Sequence, residues 1–420
     1  MPDGLKRVIT LRYAVALYVS SVLGAGVLVI PGLAARAAGP GSLVAWCLLS
    51  VASYPFAYTF SGLSARNPES GGIYSFAREA FGVRAASLVA WLFVAWVVAG
   101  APAISLAAGS YLASSLPMTR PETFLFAALL LLAAFLVNYR GIRFSGRIQL
   151  ATVAVIVLVL SFAVAASSAS VRASNFVPFL PEGPASVGVA AALIVWSFLG
   201  YENVSNVAGE FKDPKRDFHR SVAISVVLVS ALYIAVAVVI VGTGAYRSGG
   251  GVTPFSTLMS TLLGAPGGAV ISALAVVIIF STVNAYTAGM ARIIYAAAGD
   301  GSFPRALAKL DRQTGVPGRA LLFLIAVTLG SLLVFYALDL GIQSAFLTTS
   351  GAAILTYVVG SAAGVRLLDA KGARRLLPWA ALLASVSILP FIGVPLAVSL
   401  AIGLAGLAYS WSRAGRRVGL

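Results

Sequence analysis

Twelve apolar runs, each about as long as a bilayer is thick, divide this chain and leave few folds open to it. A helix crossing the hydrocarbon core needs about 20 predominantly apolar residues. Such runs fall at 11–37, 41–65, 83–115, 121–139, 148–167, 185–209, 218–243, 267–298, 320–337, 341–365, 374–391 and 393–411. Inside lipid, a backbone N–H or C=O finds no water, so each run must satisfy its own polar groups as a helix. The expected fold class is therefore an all-α polytopic membrane protein with 12 transmembrane helices. The composition agrees: 60% of the residues are hydrophobic and only 10% charged, a balance that no soluble domain has.

The formal charge of +16 would suit a nucleic-acid partner if it were clustered. It is instead spread through short connections, where Lys and Arg set topology. With the N-terminus placed in the cytoplasm, 25 of the 29 Lys and Arg fall on the inner side; only Arg36, Arg120, Arg172 and Arg247 remain outside. That asymmetry predicts a multi-pass protein of the cell membrane with both termini cytoplasmic, and it would collapse with an odd number of spans. The Met1–Arg7 stretch carries no cleavage-type signal. The single cysteine, Cys47, excludes an intramolecular disulfide, and the single histidine, His219, reads as part of a solvated basic loop. No nucleophile–base or metal-ligand constellation, Walker motif or ring of filter charges is present, so neither an enzyme, a metal site, an ATP-driven pump nor a channel is expected. No cofactor and no nucleic acid is implied; the expected surroundings are the lipid bilayer.

Two of the runs are interrupted in their middles. The first reads Ser20-Ser21-Val22-Leu23, then Gly24-Ala25-Gly26, then Val27-Leu28-Val29-Ile30-Pro31. Glycine loses the most backbone freedom on ordering and continues a helix poorly. The sixth run carries Gly200 at mid-span, followed by Glu202-Asn203. Runs one and six are five crossings apart, an odd number, so a second set of five would run inverted relative to the first. Paired breaks in two inverted halves point to a transporter site at the bilayer midplane.

The residues around these breaks resemble the amino acid–polyamine–organocation (APC) transporters. Gly24-Ala25-Gly26-Val27 with Pro31 is similar to that family's helix one, and Trp196-Ser197-Phe198-Leu199-Gly200-Tyr201-Glu202 to its helix six. Asn67-Pro68-Glu69-Ser70-Gly71-Gly72-Ile73-Tyr74, Phe211-Lys212-Asp213-Pro214-Lys215-Arg216 and Asp300-Gly301-Ser302-Phe303-Pro304 resemble its loops after helices two, six and eight. Asn284-Ala285-Tyr286 resembles the bacterial exporters of methionine and branched-chain amino acids. The resemblance implies a 5+5 inverted-repeat core, with residues 11–167 (helices 1–5) and 185–366 (helices 6–10) as its two halves and 374–411 as two peripheral helices. It also implies alternating access to a central site.

Within that frame, Gly24, Ala25 and Gly26 are expected to donate backbone N–H groups to a carboxylate at the positive end of a half-helix. Close packing by small residues is the plainer alternative. Ser21, Val22, Leu23, Trp196, Ser197 and Leu199 are expected to offer carbonyls or a hydroxyl to an ammonium. Trp196 and Phe198 are gate candidates. Glu202, the one acidic residue placed inside a span, is read either as a proton-coupling or gating group or as a helix cap. The family alignment points Tyr286, with Thr282 and Asn284, at the centre. Ser281 and Thr282 are candidates for a sodium site, while the lysine of some proton-coupled relatives is absent from the run after Ile148. No other charged side chain is expected at the pocket, with Val98, Ala101 and Ile104 as apolar neighbours. The expected substrate is a neutral zwitterion such as methionine, leucine, isoleucine or valine, exported in exchange for protons. Uptake coupled to H+ or Na+, and a broad amino acid/polyamine permease, stay open.

Overall fold

The computed structural model describes residues 10–66, 72–141, 146–201, 214–311, 314–369 and 372–418, which are helical without a strand among them. The first run is two helices, α1 (Leu11–Val22) and α2 (Gly26–Ala38). Between them Leu23 leaves the helical region, at φ −73° and ψ 78°. Run two is α3 (Ser42–Arg66), and runs three to five are α5 (Val83–Ala113), α6 (Arg120–Tyr139) and α7 (Gly146–Ser167), with a short helix α4 (Ile73–Phe81) preceding α5. Run six starts as α8 (Ala185–Ile194), tightens into a 3-10 turn at Val195–Phe198, and then becomes extended at Leu199. Gly200 follows at φ 128°, a conformation open to glycine and hardly to other residues. The rest of that run, with Glu202 and Asn203, lies outside the described residues.

Downstream come α9 (Pro214–Thr243), α10 (Pro254–Gly299), α11 (Gly318–Ala337), α12 (Ile342–Leu367), α13 (Leu376–Ile388) and α14 (Pro395–Val418). The eighth run was expected to begin at 267, but helical residues already start at Pro254. Gly264, at φ 72°, swivels the chain there, and the expected run is the longer segment beyond that kink. Among the described residues, nine helical stretches are long and apolar enough to cross a membrane; Leu11–Val22 and Ala185–Phe198 are shorter apolar helices.

The outer surface is dressed for lipid. Along α6, Leu125, Leu129, Leu132 and Leu136 recur at helical spacing and are exposed, while Ala127, Leu130, Leu131 and Ala134 on the other face are buried. Packing sorts the helices into two groups. α3 and α9 lie together and hold α1, α2 and α8; α5 runs against α10, α6, α11, α12 and α14.

α4 joins the groups at one end. Residues 67–71 of the connection after α3 lie outside the described residues; α4, which follows them, is an amphipathic helix fastened at several points. Arg66, at the end of α3, pairs with Glu79 at 3.3 Å and donates to the Leu367 carbonyl at the end of α12. Asp300, capping the far end of α10, accepts from the Tyr74 hydroxyl at 2.7 Å and pairs with Arg78 at 3.1 Å. Burial, and then the Asp300 carboxylate, push the Tyr74 hydroxyl above its usual range, so it remains the donor. A tyrosine raised in the folded state contributes fully below its unfolded value of about 10 and is lost only as pH climbs through the folded one. Asp300→Ala removes the acceptor shared by both side chains. Partly exposed charge-assisted bonds of this kind are worth about 1–2 kcal/mol together. Hydrogen–deuterium exchange over residues 72–82 should rise in the variant, and in the wild type it should show no loss of protection traceable to Tyr74 between pH 7 and 9.

Candidate functional site

The two interruptions meet in the interior. Gly200 lies so close to the Ser21 carbonyl that a β-carbon there would overlap the oxygen, so only glycine lets the backbones approach this far. On α9, the wholly buried Tyr233 hydroxyl lies 3.1 Å from the Val22 carbonyl and 3.0 Å from that of Ser197, one from each broken helix. Sequence reasoning assigned Tyr233 no role. Its signal was one of only two hydroxyls, with Ser230, in the run Val226–Val241, where a polar group without a partner is costly.

A cavity of about 510 Å³ surrounds this junction, lined by Ser21, Val22, Leu23, Gly24, Ala25 and Gly26 from the first break and by Trp196, Ser197 and Leu199 from the second. Tyr286, Ser281 and Thr282 line it from α10. All ten residues expected to bind substrate thus share one cavity. Phe198 does not join them: it is buried between Trp46 and Tyr233, with ring centroids at 6.0 and 5.4 Å. Val98, Ala101 and Ile104 do not line the cavity either; on α5 it is Phe93 and Trp96 that do. Val98 and Ala101 turn to other faces of the helix, while Ile104, on the face of Phe93, sits about three turns farther along it. The Trp96 ring lies 6.2 Å from that of Tyr286. Asn138 on α6 and Thr152 on α7 also line it without having been singled out in the sequence. The expectation that no basic residue lines the pocket is corrected by Arg292, an exposed side chain at its rim. Arg292 stands about three turns beyond Thr282, too far along α10 for the run's centre but within reach of its mouth.

The cavity is open at one end. Gly289 and Arg292 on α10, with Thr314 and Gly315 before α11, line it and are exposed. Toward the other end stands Trp196, whose indole would collide with a β-carbon on Gly26 or Gly100 and which meets Phe346 edge-on at 5.0 Å. Trp196 therefore closes the side of the cavity that Phe346 backs, with Phe346 fully buried behind it.

Hydrogen bonds decide which backbone groups remain available. Gly24 N–H donates to the Val22 carbonyl at 2.8 Å, and Ala25 N–H donates to the Thr282 hydroxyl at 3.2 Å. Gly26 N–H alone of the three has no acceptor among the described residues. The Val22 carbonyl already accepts from Gly24 and Tyr233. The Ser21 hydroxyl donates to Tyr18 at 3.0 Å within its own turn. Among the described residues the Leu23 carbonyl accepts no bond. The Thr282 hydroxyl also donates to the Ile278 carbonyl at 3.1 Å, so it ties the first break to α10. One amide donor and one carbonyl acceptor thus stand unengaged within three residues of each other, the complement of a carboxylate beside an ammonium. Among the described residues no group of three His, Cys, Asp or Glu could hold a metal ion.

Two substitutions test the junction. Gly200→Ala adds both a left-handed strain and a collision with backbone that cannot swing aside, and should lower the melting temperature of the purified protein by several degrees. Tyr233→Phe removes the one hydrogen shared between two buried carbonyls, of which that of Val22 keeps the Gly24 N–H, at about 1–3 kcal/mol; it should melt earlier and bind substrate more weakly, whereas a surface Tyr13→Phe should do neither.

Comparison with known proteins bears on what such a cavity is for. Residues 9–412 match the family model described as Amino acid permease. The chain is 31% identical to YecA, named an uncharacterized amino acid permease, of Bacillus subtilis (strain 168), over 98% of this chain and 97% of that one. It is 31% identical over 93% of both chains to YjeH of Escherichia coli (strain K12), named an L-methionine/branched-chain amino acid exporter. To BcaP, named a branched-chain amino acid permease, of Bacillus subtilis (strain 168), it is 27% identical over 80% of this chain and 78% of that one. With a match running nearly end to end and a multi-pass apolar fold, the chain belongs to the amino acid permease family of the APC superfamily, whose members are membrane transporters and not enzymes.

Proposed function

We propose that the protein is a secondary transporter of neutral apolar L-amino acids, with methionine, leucine, isoleucine and valine as substrates, and that it exports them from the cell in exchange for protons. The observation that carries the substrate class is the electrically neutral interior of the cavity. Its described lining holds no acidic side chain, and Arg292 stands at the rim. An arginine, aspartate or polyamine side chain would enter a low-dielectric space with no partner, which is strongly unfavourable. A zwitterion brings its own compensating pair. Its carboxylate would take the Gly26 N–H and its ammonium the Leu23 carbonyl, with Trp196 as the gate above and Tyr286, Phe93 and Trp96 against the side chain. The printed names of YjeH and BcaP, a methionine/branched-chain exporter and a branched-chain permease, support the same class.

Architecture and coupling belong to the same reading. Residues 11–167 and 185–366 are the inverted halves and 374–411 the peripheral pair. Both termini are cytoplasmic, so the open end of the cavity faces the cytoplasm, the side from which an exporter loads. Protons are preferred to sodium because the Thr282 hydroxyl is already engaged by Ala25 and Ile278, which leaves Ser281 as the freer hydroxyl of the pair. Glu202, just past the second break, is the proposed proton carrier.

Counterflow in proteoliposomes loaded with labelled amino acids tests each part. Methionine, leucine, isoleucine and valine should exchange, and arginine, aspartate and putrescine should not. Net flux should follow a pH gradient and ignore sodium, and Glu202→Gln should keep exchange while losing the pH response. Exchange confined to arginine or putrescine would overturn the substrate class; a sodium requirement would overturn the coupling.

A further inference from the structure

The cavity holds an amide that nothing above employs. Asn284 on α10 is 4% exposed and lines the cavity beside Tyr286. Its partner is Asn138 on α6. The Asn138 nitrogen donates to the Ala134 carbonyl at 2.8 Å and to the Asn284 side-chain oxygen at 2.8 Å, and it lies 3.2 Å from the Asn284 backbone carbonyl. These contacts fix both amide orientations. Turning Asn138 over would press its oxygen against two backbone carbonyls, acceptor against acceptor. With the Asn138 nitrogen so fixed, turning Asn284 over would set NH2 against NH2. The Asn284 oxygen is therefore the atom facing Asn138, and its nitrogen is left with two hydrogens and no acceptor among the described residues. The nitrogen lines the open cavity, so a ligand that displaces water from it must supply an acceptor or leave the donor unmatched.

We propose that Asn284 is a specificity-determining residue that donates a hydrogen bond to an acceptor carried on the substrate's side chain. The proposal rests on the reading of this cavity as the amino-acid site. The surroundings narrow the acceptor. Phe93, Trp96, Tyr286 and Met290 share the lining, so the stem that carries the acceptor is apolar. A thioether combines an apolar stem, a weak acceptor and favourable contact with aromatic rings. Among neutral apolar side chains it is the one that answers the unmatched amide, whereas aliphatic side chains offer that nitrogen nothing. The cavity therefore favours the thioether of methionine over a hydrocarbon chain of the same length and shape.

Methionine and norleucine differ by one sulfur in place of a methylene, so their ratio reads this bond with little change in volume. In counterflow with the purified wild-type protein, half-saturation for methionine should lie about threefold below that for norleucine, the lower end for a neutral hydrogen bond. Asn284→Ala should bring the ratio to about one, whatever common change the lost Asn138 bond makes to all substrates. Asn138→Ala removes the anchor and keeps the Asn284 donor, so it does not mimic that effect: it should weaken all substrates together and preserve the ratio. A wild-type ratio of one or below overturns the inference without any variant. So does a ratio that survives in Asn284→Ala, which would assign the preference to the aromatic rings. If neither methionine nor norleucine exchanges while leucine does, the inference fails and the amino-acid reading stands; if none of the three exchanges, both fall.

Discussion

Everything in this molecule depends on how two broken helices keep their loose ends satisfied away from water. A helix that stops in mid-membrane leaves amides and carbonyls with nothing to bond, and lipid supplies nothing. Here the breaks supply one another. Gly200 sets its backbone against the Ser21 carbonyl, and the Tyr233 hydroxyl stands between the carbonyls of Val22 and Ser197. The Thr282 hydroxyl takes the amide of Ala25. These groups come from the ends of α1 and α8 and from α9 and α10, so the junction also fixes how those four helices sit together.

That accounting has a consequence for binding. A break is often pictured as a row of open donors, but a donor left open in an empty site is unfavourable, and this one keeps few. Gly24 and Ala25 are matched internally, and Gly26 is not. The same economy holds on the acceptor side, where Val22 is doubly engaged and Leu23 is free. The site is therefore selective through what it withholds as much as through what it offers. On the proposed reading, a ligand with a carboxylate next to an ammonium would meet one donor and one acceptor, and a ligand with either charge alone would leave the other backbone group unanswered. Displacing Thr282 from Ala25 would open a second amide, which gives the bound state a way to differ from the empty one without any large rearrangement.

Much of this could be read from the chain before any coordinates. The apolar runs place the helices because hydrophobic length is a one-dimensional property, and the breaks at Gly24–Gly26 and Gly200 are visible because glycine in an apolar run is conspicuous. What could not be read is facing. The choice of Val98, Ala101 and Ile104 over Phe93 and Trp96 fails because a helix apolar on every side has no periodicity from which to phase it. Phe198 was a gate candidate, with Trp196, as a bulky aromatic ring, yet the 3-10 turn sends the two rings to different places, one against Phe346 and the other between Trp46 and Tyr233. Tyr233 and Asn138 matter through contacts across the fold that no local pattern encodes, and Asn284 was pointed at the centre only by its resemblance to a family motif. The early start of α10 at Pro254 was missed because Gly264 and Pro266 look like a boundary and act as a swivel.

The remaining polar contacts fall where two packing groups are joined at one end. α4 is bonded to α3 and α12 through Arg66 and to α10 through Asp300. These are ion pairs with half-exposed partners, individually weak and screened by salt. Weakness suits the position. A strut made of buried apolar surface would hold the two groups in one arrangement, whereas a strut made of solvated charges can be broken and remade at modest cost as the groups move. The interior follows the opposite logic, with Gly200 on Ser21 and Trp196 on Gly26 packed so closely that a single added methyl group has nowhere to go. On the proposed reading, recognition of one small zwitterion would use that rigidity at the centre, and opening to either side would use the compliance at the rim.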